Sequence, residues 1–189
     1  MSTAARTYAI LGKETLWEAA RSAHELLAQA GLPHAIVGGV AVCLHGYQRN
    51  TVDVDLLVRR DEAAQVRTAL ESAGWKWIDE RTELQSPSGV VLRFLMAGYK
   101  AGFDTVVRFP DPGDVDSVTE LEGLPVLTLA RLIESKLACG QGNLRRTHKD
   151  FADVVELIAV HQLSRSFARH LHGTLRDVFR ELVLHARGE

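Results

Sequence analysis

The chain has 189 residues, 46% of them apolar and 24% charged, the balance of an ordinary globular protein, which excludes disorder, collagen-like repeats and a disulfide scaffold. A chain of this length makes one domain and buries roughly 70% of its unfolded surface, so it folds without covalent staples. The formal net charge is 22 − 24 = −2, which excludes a globally basic nucleic-acid groove, yet residues 51–130 carry 8 basic and 14 acidic side chains and residues 131–180 carry 9 and 5. Cys43 and Cys139 are too few for a zinc site built on cysteine pairs and suit a reduced, cytoplasmic protein as small apolar residues. Residues 1–8 lack the basic-then-apolar layout of a signal peptide, and no apolar run approaches the roughly 20 residues of a membrane span.

Apolar residues at helical spacing predict a helix over 13–30, closed by Gly31. A short strand follows over 34–37, broken by Gly38-Gly39, and a short helix over 40–46. Residues 51–58 alternate, with Val52, Val54 and Leu56 on one face and Asp53 and Asp55 on the other, which is a strand. Asp61 is placed to cap a helix over 62–73 that Gly74 ends. Residues 75–84 and 90–96 read as two strands of an antiparallel hairpin about the turn 86–89. Residues 97–112 give no clear element, and 115–127 hold two short strands around Glu122-Gly123. Thr128 opens a helix to residue 138, residues 139–143 form a loop, and helices over 146–161 and 164–186 follow. The order predicts an α/β (α+β) protein: a sheet packed on one side by helices, with a core over 1–127 and a helical C-terminal part over 128–189 in one compact domain.

Asp53 and Asp55 leave one face of their strand about 7 Å apart. Two carboxylates that close repel unless a cation sits between them, and hard oxygens suit Mg²⁺, which takes one or two protein carboxylates plus substrate phosphates. The pair alone is equally the solvent side of an edge strand. Gly38 and Gly39, between a strand and a helix, allow close approach of backbone N–H groups to a phosphate, or merely make a tight turn. Arg49 and Thr51 add donors just ahead of the carboxylates.

Together, Gly38-Gly39, thirteen intervening residues and Asp53-Val54-Asp55 resemble the signature of the DNA polymerase beta-like nucleotidyltransferase superfamily. The Arg49-x-Thr51-x-Asp53-x-Asp55 run resembles its minimal bacterial branch, nearest the AbiEii/AbiGii toxin-like nucleotidyltransferases. Residues 127–136, ending in Lys136, and residues 145–153, with Lys149, Asp150 and Asp153, are similar to the lysine helix and Lys-Asp-x-x-Asp helix of those proteins. The resemblance spans about 35–158 and implies a nucleotidyltransferase-like mixed sheet flanked by helices, with Asp53 and Asp55 as catalytic residues and Mg²⁺ ligands on a central strand. It implies one or two Mg²⁺ ions and a nucleoside triphosphate, its phosphates held by Gly38, Gly39, Arg49, Thr51, Lys136 and Lys149, with Asp150 and Asp153 supporting. Transfer of a nucleoside monophosphate to an acceptor hydroxyl on RNA, protein or a small molecule would follow, and the toxin-like relatives imply the toxin-like member of a bacterial toxin–antitoxin pair, with an antitoxin-like protein partner.

The sequence departs from that pattern at one place. The superfamily's third carboxylate belongs on the strand over 90–96, where Arg93 stands instead, and no acid lies between Gly89 and Phe103. The resemblance therefore also admits a degenerate member that binds nucleotide or a protein partner without transfer. Among the other candidates, His45 reads as a partly buried helix residue and His148 as a surface one. His170 and His172, two apart on a predicted helix, share no face. Trp75 and Trp77 read as core or hairpin cover, and Arg165, Arg169, Arg176 and Arg180 as a basic stripe on the last helix.

Overall fold

The computed structural model describes residues 14–141 and 143–187, so the expectations for residues 1–13 lie outside it. Its elements are α1 (Glu14–Gln29), β1 (His34–Val37), α2 (Gly38–Leu44), β2 (Asp53–Val58), α3 (Ala63–Ser72), β3 (Lys76–Ile78), β4 (Glu83–Gln85), β5 (Val91–Met96), β6 (Val118–Leu121), β7 (Leu124–Leu127), α4 (Leu129–Gln141), α5 (Leu144–Val160) and α6 (Arg176–Arg187), with two 3₁₀ turns before α6. The seven strands form one mixed sheet in the order β3-β4-β5-β2-β1-β7-β6. β2 runs antiparallel to β1 and parallel to β5, and β1 runs parallel to β7. β2, with the two aspartates, is thus the middle strand.

All four residues of β1 are buried, which is why this strand reads as an unbroken apolar run after its histidine. Register puts Val37 beside Asp55 and Ala35 beside Leu57 on one face of the sheet, with His34 beside Val58 and Ile36 beside Leu56 on the other. α1 lies on the second face, where its His24 ring nitrogen meets His34 at 2.9 Å. α4 stands on the first, its Lys136 lining a cleft with Asp55. Helices therefore cover both faces, not one as the element order suggested. Sheet residues such as Leu56 and Leu92 and helix residues such as Leu132, Leu157 and Phe179 share one buried apolar cluster.

Four local expectations need correction. Residues 75–84 are not one strand but β3, a reversal at 79–82 and β4, the reversal marked by Thr82 at φ 51° and by Trp77 Nε1 donating to Asp79 at 2.6 Å. Asp61 does not cap α3: it sits in a turn, and Glu62 precedes the helix with no side-chain cap. α4 continues through Cys139 to Gln141, because Gly140, lacking a Cβ, lets Phe151 of α5 lie where that atom would be. The predicted last helix is broken into Arg165–His170, Gly173–Leu175 and α6, with Leu171 extended and buried between them. The backbone N–H of His172 donates to the buried Glu134 carboxylate of α4, a tertiary contact that no local pattern encodes.

That break also dissolves the basic stripe. Arg176 donates to the Leu171 carbonyl at 3.0 Å and Arg180 to Asp177 at 2.7 Å, while Arg165 and Arg169 lie on a separate 3₁₀ turn. Val52, assigned to the apolar face, is 67% exposed, since β2 starts one residue later. The β6–β7 hairpin is as expected. Glu122 and Gly123 both have positive φ, the geometry whose twist matches a two-residue hairpin turn.

Candidate active site

Asp53 and Asp55 project from the same face of β2 and are three-quarters or more buried. Their partner strand β5 is in parallel register, which pairs Asp53 with Val91 and Asp55 with Arg93. Arg93 therefore stands where the third acid was sought. Its terminal nitrogen contacts the Asp53 carboxylate, and its Nε lies 3.4 Å from Asp55 Oδ1 without forming a hydrogen bond. The next residue along this row is Glu83 of β4, opposite Arg93, an acid that lies outside the stretch 89–103.

The two glycines are used first by the protein's own side chains. Gly38 has φ +63°, and a Cβ there would fall on the Asp55 carboxylate. A Cβ on Gly39 would come within 2.5 Å of Thr51 Oγ1 and 2.9 Å of an Arg49 nitrogen. Both glycines lie in the first turn of α2, which begins two residues earlier than expected. The sequence Gly-Gly therefore lets three site residues cross the start of a helix at close range.

Asp55 faces a cleft of about 290 Å³ between the sheet and the α4–α5 pair. Its lining includes Arg93, Lys100, Lys136, Arg146 and Asp150, with Phe94 and Phe109 as apolar walls. Behind it lies a buried ion cluster. Lys136 donates to Asp150 at 3.0 Å and pairs with Asp153 at 2.6 Å; Arg146 donates to Asp150 at 3.0 Å, and Arg49 lies 2.8 Å from Asp153. Lys136, Asp150 and Asp153 are each under 5% exposed. Burial opposes the charge on Asp150, but Lys136 and Arg146 overcome it and hold its carboxyl below the ordinary range. Burial holds Asp55 above that range, against the pull of Arg146, Lys136, Lys149 and Arg49.

Of the cations predicted to meet phosphate, Lys136 and Arg49 are thus already committed to aspartates. Thr51 is buried and its hydroxyl donates to Asp53 at 3.4 Å. Lys149 is exposed and makes no ion pair among the described residues. Partial burial first, and then the nearby Arg49 and Lys136, lower its pKa. His45 lies apart from this site: its Nε2 donates to the Leu127 carbonyl at 2.8 Å, while His148 is exposed. Trp75 is core, and Trp77 packs on Phe94 beneath Arg67. Lys100 and Phe109 come from the stretch 97–112, which has no periodic signal in sequence and is ordered by irregular backbone bonds such as Phe109 N–H to the Tyr99 carbonyl and Gly98 N–H to the Phe109 carbonyl, both 2.9 Å.

Two carboxylates on the middle strand of a mixed sheet, facing a cation cluster on a helix pair, define a nucleotidyltransferase-like fold. The profile of the aminoglycoside-2''-adenylyltransferase family matches residues 20–154, and the chain belongs to that family. Among solved structures, ANT(2'')-Ia in complex with adenylyl-2''-tobramycin is similar at 16% identity and a TM-score of 0.54, over 85% of this chain and 94% of that one. A putative nucleotidyltransferase from Thermotoga maritima aligns at 16% identity and 0.52, over 72% and 92%. One from H. pylori aligns at 18% and 0.51, over 93% and 80%. No functionally curated protein sequence matches the chain. The superfamily expected from the motifs is thereby supported, whereas the finer placement beside the AbiEii/AbiGii toxins is not what these matches show. Among the described residues no helix is long and apolar enough to cross a membrane.

Proposed function

We propose that this protein is a Mg²⁺-dependent nucleotidyltransferase that moves a nucleoside monophosphate from a triphosphate to an acceptor hydroxyl. The observation that carries this reading is the opposition of Asp53 and Asp55 on β2 to Lys136, Arg146 and Lys149 on α4 and α5. The acceptor hydroxyl gives up its proton to water, its oxygen bonds to the α-phosphorus, the α–β phosphoanhydride bond breaks, and pyrophosphate carries away the electron pair. No group of three or more metal-binding side chains occurs among the described residues. The two aspartates fit Mg²⁺ as a pair whose remaining ligands are phosphate oxygens and water. A Mg²⁺ ion held by Asp53 and Asp55 would supply charge neutralisation and polarisation of the phosphates. The chain's own residues do the rest: Lys149 and Arg146 draw the phosphates to the cleft, and the Lys136–Asp150–Asp153 cluster fixes the helices that carry them.

The acceptor is RNA, a protein side chain or a small molecule. A tobramycin-like acceptor is suggested by the adenylyl-tobramycin complex of ANT(2'')-Ia. Charge argues against it. Both described carboxylates lining this cleft, Asp55 and Asp150, are already in contact with cations, and Lys100 adds another positive charge. A polycation would find no free carboxylate in this cleft. Arg93 favours a second reading, nucleotide binding without transfer.

The test supplies each of the four α-³²P triphosphates with Mg²⁺ to the protein, with bulk RNA, protein and tobramycin as acceptors. Label that moves to one acceptor and is lost in Asp53→Asn supports transfer. A protein product in an antitoxin-like partner supports the toxin role. Triphosphate that binds without moving supports the second reading, and absence of Mg²⁺-dependent binding refutes both.

A further inference from the structure

Arg93 places a positive group in the gap where the two carboxylates of β2 would share a divalent cation, and from this we propose that the site admits its metal only together with nucleotide. In the resting protein the guanidinium is the counter-ion of Asp53 and Asp55. When a triphosphate arrives, Arg93 moves from carboxylate to phosphate, and the vacated pair receives the cation that the nucleotide brings. The proposal rests on the nucleotidyltransferase reading of this cleft.

Three observations support it. First, Arg93 contacts both aspartates, so one guanidinium faces two negative charges and a divalent ion entering the same gap meets a positive charge at contact distance. Second, the resting contacts are incomplete. The Arg93 Nε is buried without a hydrogen bond, its approach to Asp55 is long at 3.4 Å, and the side chain is 41% exposed. A phosphate offers three acceptor oxygens in the geometry that satisfies an arginine fork, so the exchange gains what the carboxylates leave unmade. Third, Arg93 and Arg146 line the same cleft, and an anion seated between them would offset the repulsion between the two guanidinium groups. Removing Arg93 from the aspartates leaves two negative charges, which match a divalent cation.

Mn²⁺ is the probe, with free and bound ion measured by electron paramagnetic resonance in wild type, Arg93→Gln and Arg93→Gln/Asp53→Asn. The titrations are run without nucleotide and with the α,β-methylene analogues of the four triphosphates, each in turn. Without nucleotide, Arg93→Gln is expected to bind Mn²⁺ at least tenfold more tightly than wild type. With the analogue that binds, the two proteins should agree within threefold. Equal affinities without nucleotide overturn the proposal, and leave the site itself standing if Asp53→Asn abolishes the binding. Mn²⁺ that binds Arg93→Gln regardless of Asp53→Asn, or that binds no variant with any analogue, removes the site reading and the proposal with it. Should Arg93→Gln fail to fold, the wild-type protein answers through the ¹⁵Nε–H resonance of Arg93. That resonance shifts on adding metal-free analogue if the guanidinium changes partner, and a resonance unmoved by all four analogues overturns the exchange.

Discussion

Replacing Lys136 with methionine keeps the length and volume of the side chain and removes one buried cation. The structure makes this a stability experiment before it is a binding one. The Lys136 ammonium lies 3.0 Å from Asp150 and 2.6 Å from Asp153, and all three side chains are almost wholly buried. Breaking a buried pair by removing one partner costs roughly 3–5 kcal/mol, because the other charge stays behind. Here each aspartate keeps an arginine, Arg146 for Asp150 and Arg49 for Asp153, which puts the loss at the low end, about 3 kcal/mol. For a protein of this size that corresponds to a melting temperature lower by roughly 6–12 °C. Urea unfolding followed by circular dichroism measures it. The loss has a pH signature too. Asp150 titrates below its ordinary range in the folded protein, so its contribution is present above the unfolded value of about 3.9 and is lost as pH falls through the folded one. The gap between wild type and variant therefore narrows in acid, and Asp150→Asn in the variant background recovers part of it. An unfolding free energy within about 0.5 kcal/mol of wild type, the scatter of an ordinary surface substitution, would refute the view that Lys136 holds the helix pair together.

Lys149→Met should do the reverse: stability unchanged within about 0.5 kcal/mol, and triphosphate binding weakened roughly tenfold or more in calorimetry, since this exposed lysine has no ion pair to lose among the described residues. Gly38→Ala should destabilise by roughly 1–2 kcal/mol from its left-handed backbone alone, with a further cost from the Cβ against Asp55, and should also weaken Mn²⁺ binding. An alanine variant with wild-type stability and wild-type Mn²⁺ affinity would contradict the close approach. His34 and His45 are buried, and burial lowers both pKa values despite their bonds to the Leu32 and Leu127 carbonyls. Their contribution is complete above the unfolded value of about 6.5 and falls as pH drops below it, by up to about 1.4 kcal/mol per pH unit each. Thermal melts between pH 7.5 and 5 test this, and His34→Gln/His45→Gln should flatten the profile.

Much of the site is legible along the chain because it is local in sequence. Gly38, Gly39, Asp53 and Asp55 belong to one strand–helix–strand unit, and period-two alternation alone puts both aspartates on one face. Arg93 could also be placed, through the family resemblance that puts the third acid on the strand over 90–96, and the parallel register sets it beside Asp55. Charge bookkeeping misleads where burial intervenes. Lys136 and Lys149 look equivalent in a list of cations, yet one is sealed between two aspartates and the other faces solvent. Helical periodicity over 164–186 misleads similarly, since the bond from His172 to Glu134 breaks the helix through a partner 38 residues away.

Spacing within a few dozen residues is enough to read the carboxylate pair, its strand and the glycines ahead of it, while the opposition of the two later helices follows along the chain only from the family resemblance. Only the tertiary structure decided which charges are free. Asp53, Asp55, Arg93, Lys136, Asp150 and Asp153 come from three regions of the chain, and the dielectric around each depends on what packs over it. Whether a lysine attracts a phosphate or pins a helix, and whether an arginine departs or stays, is decided by that packing.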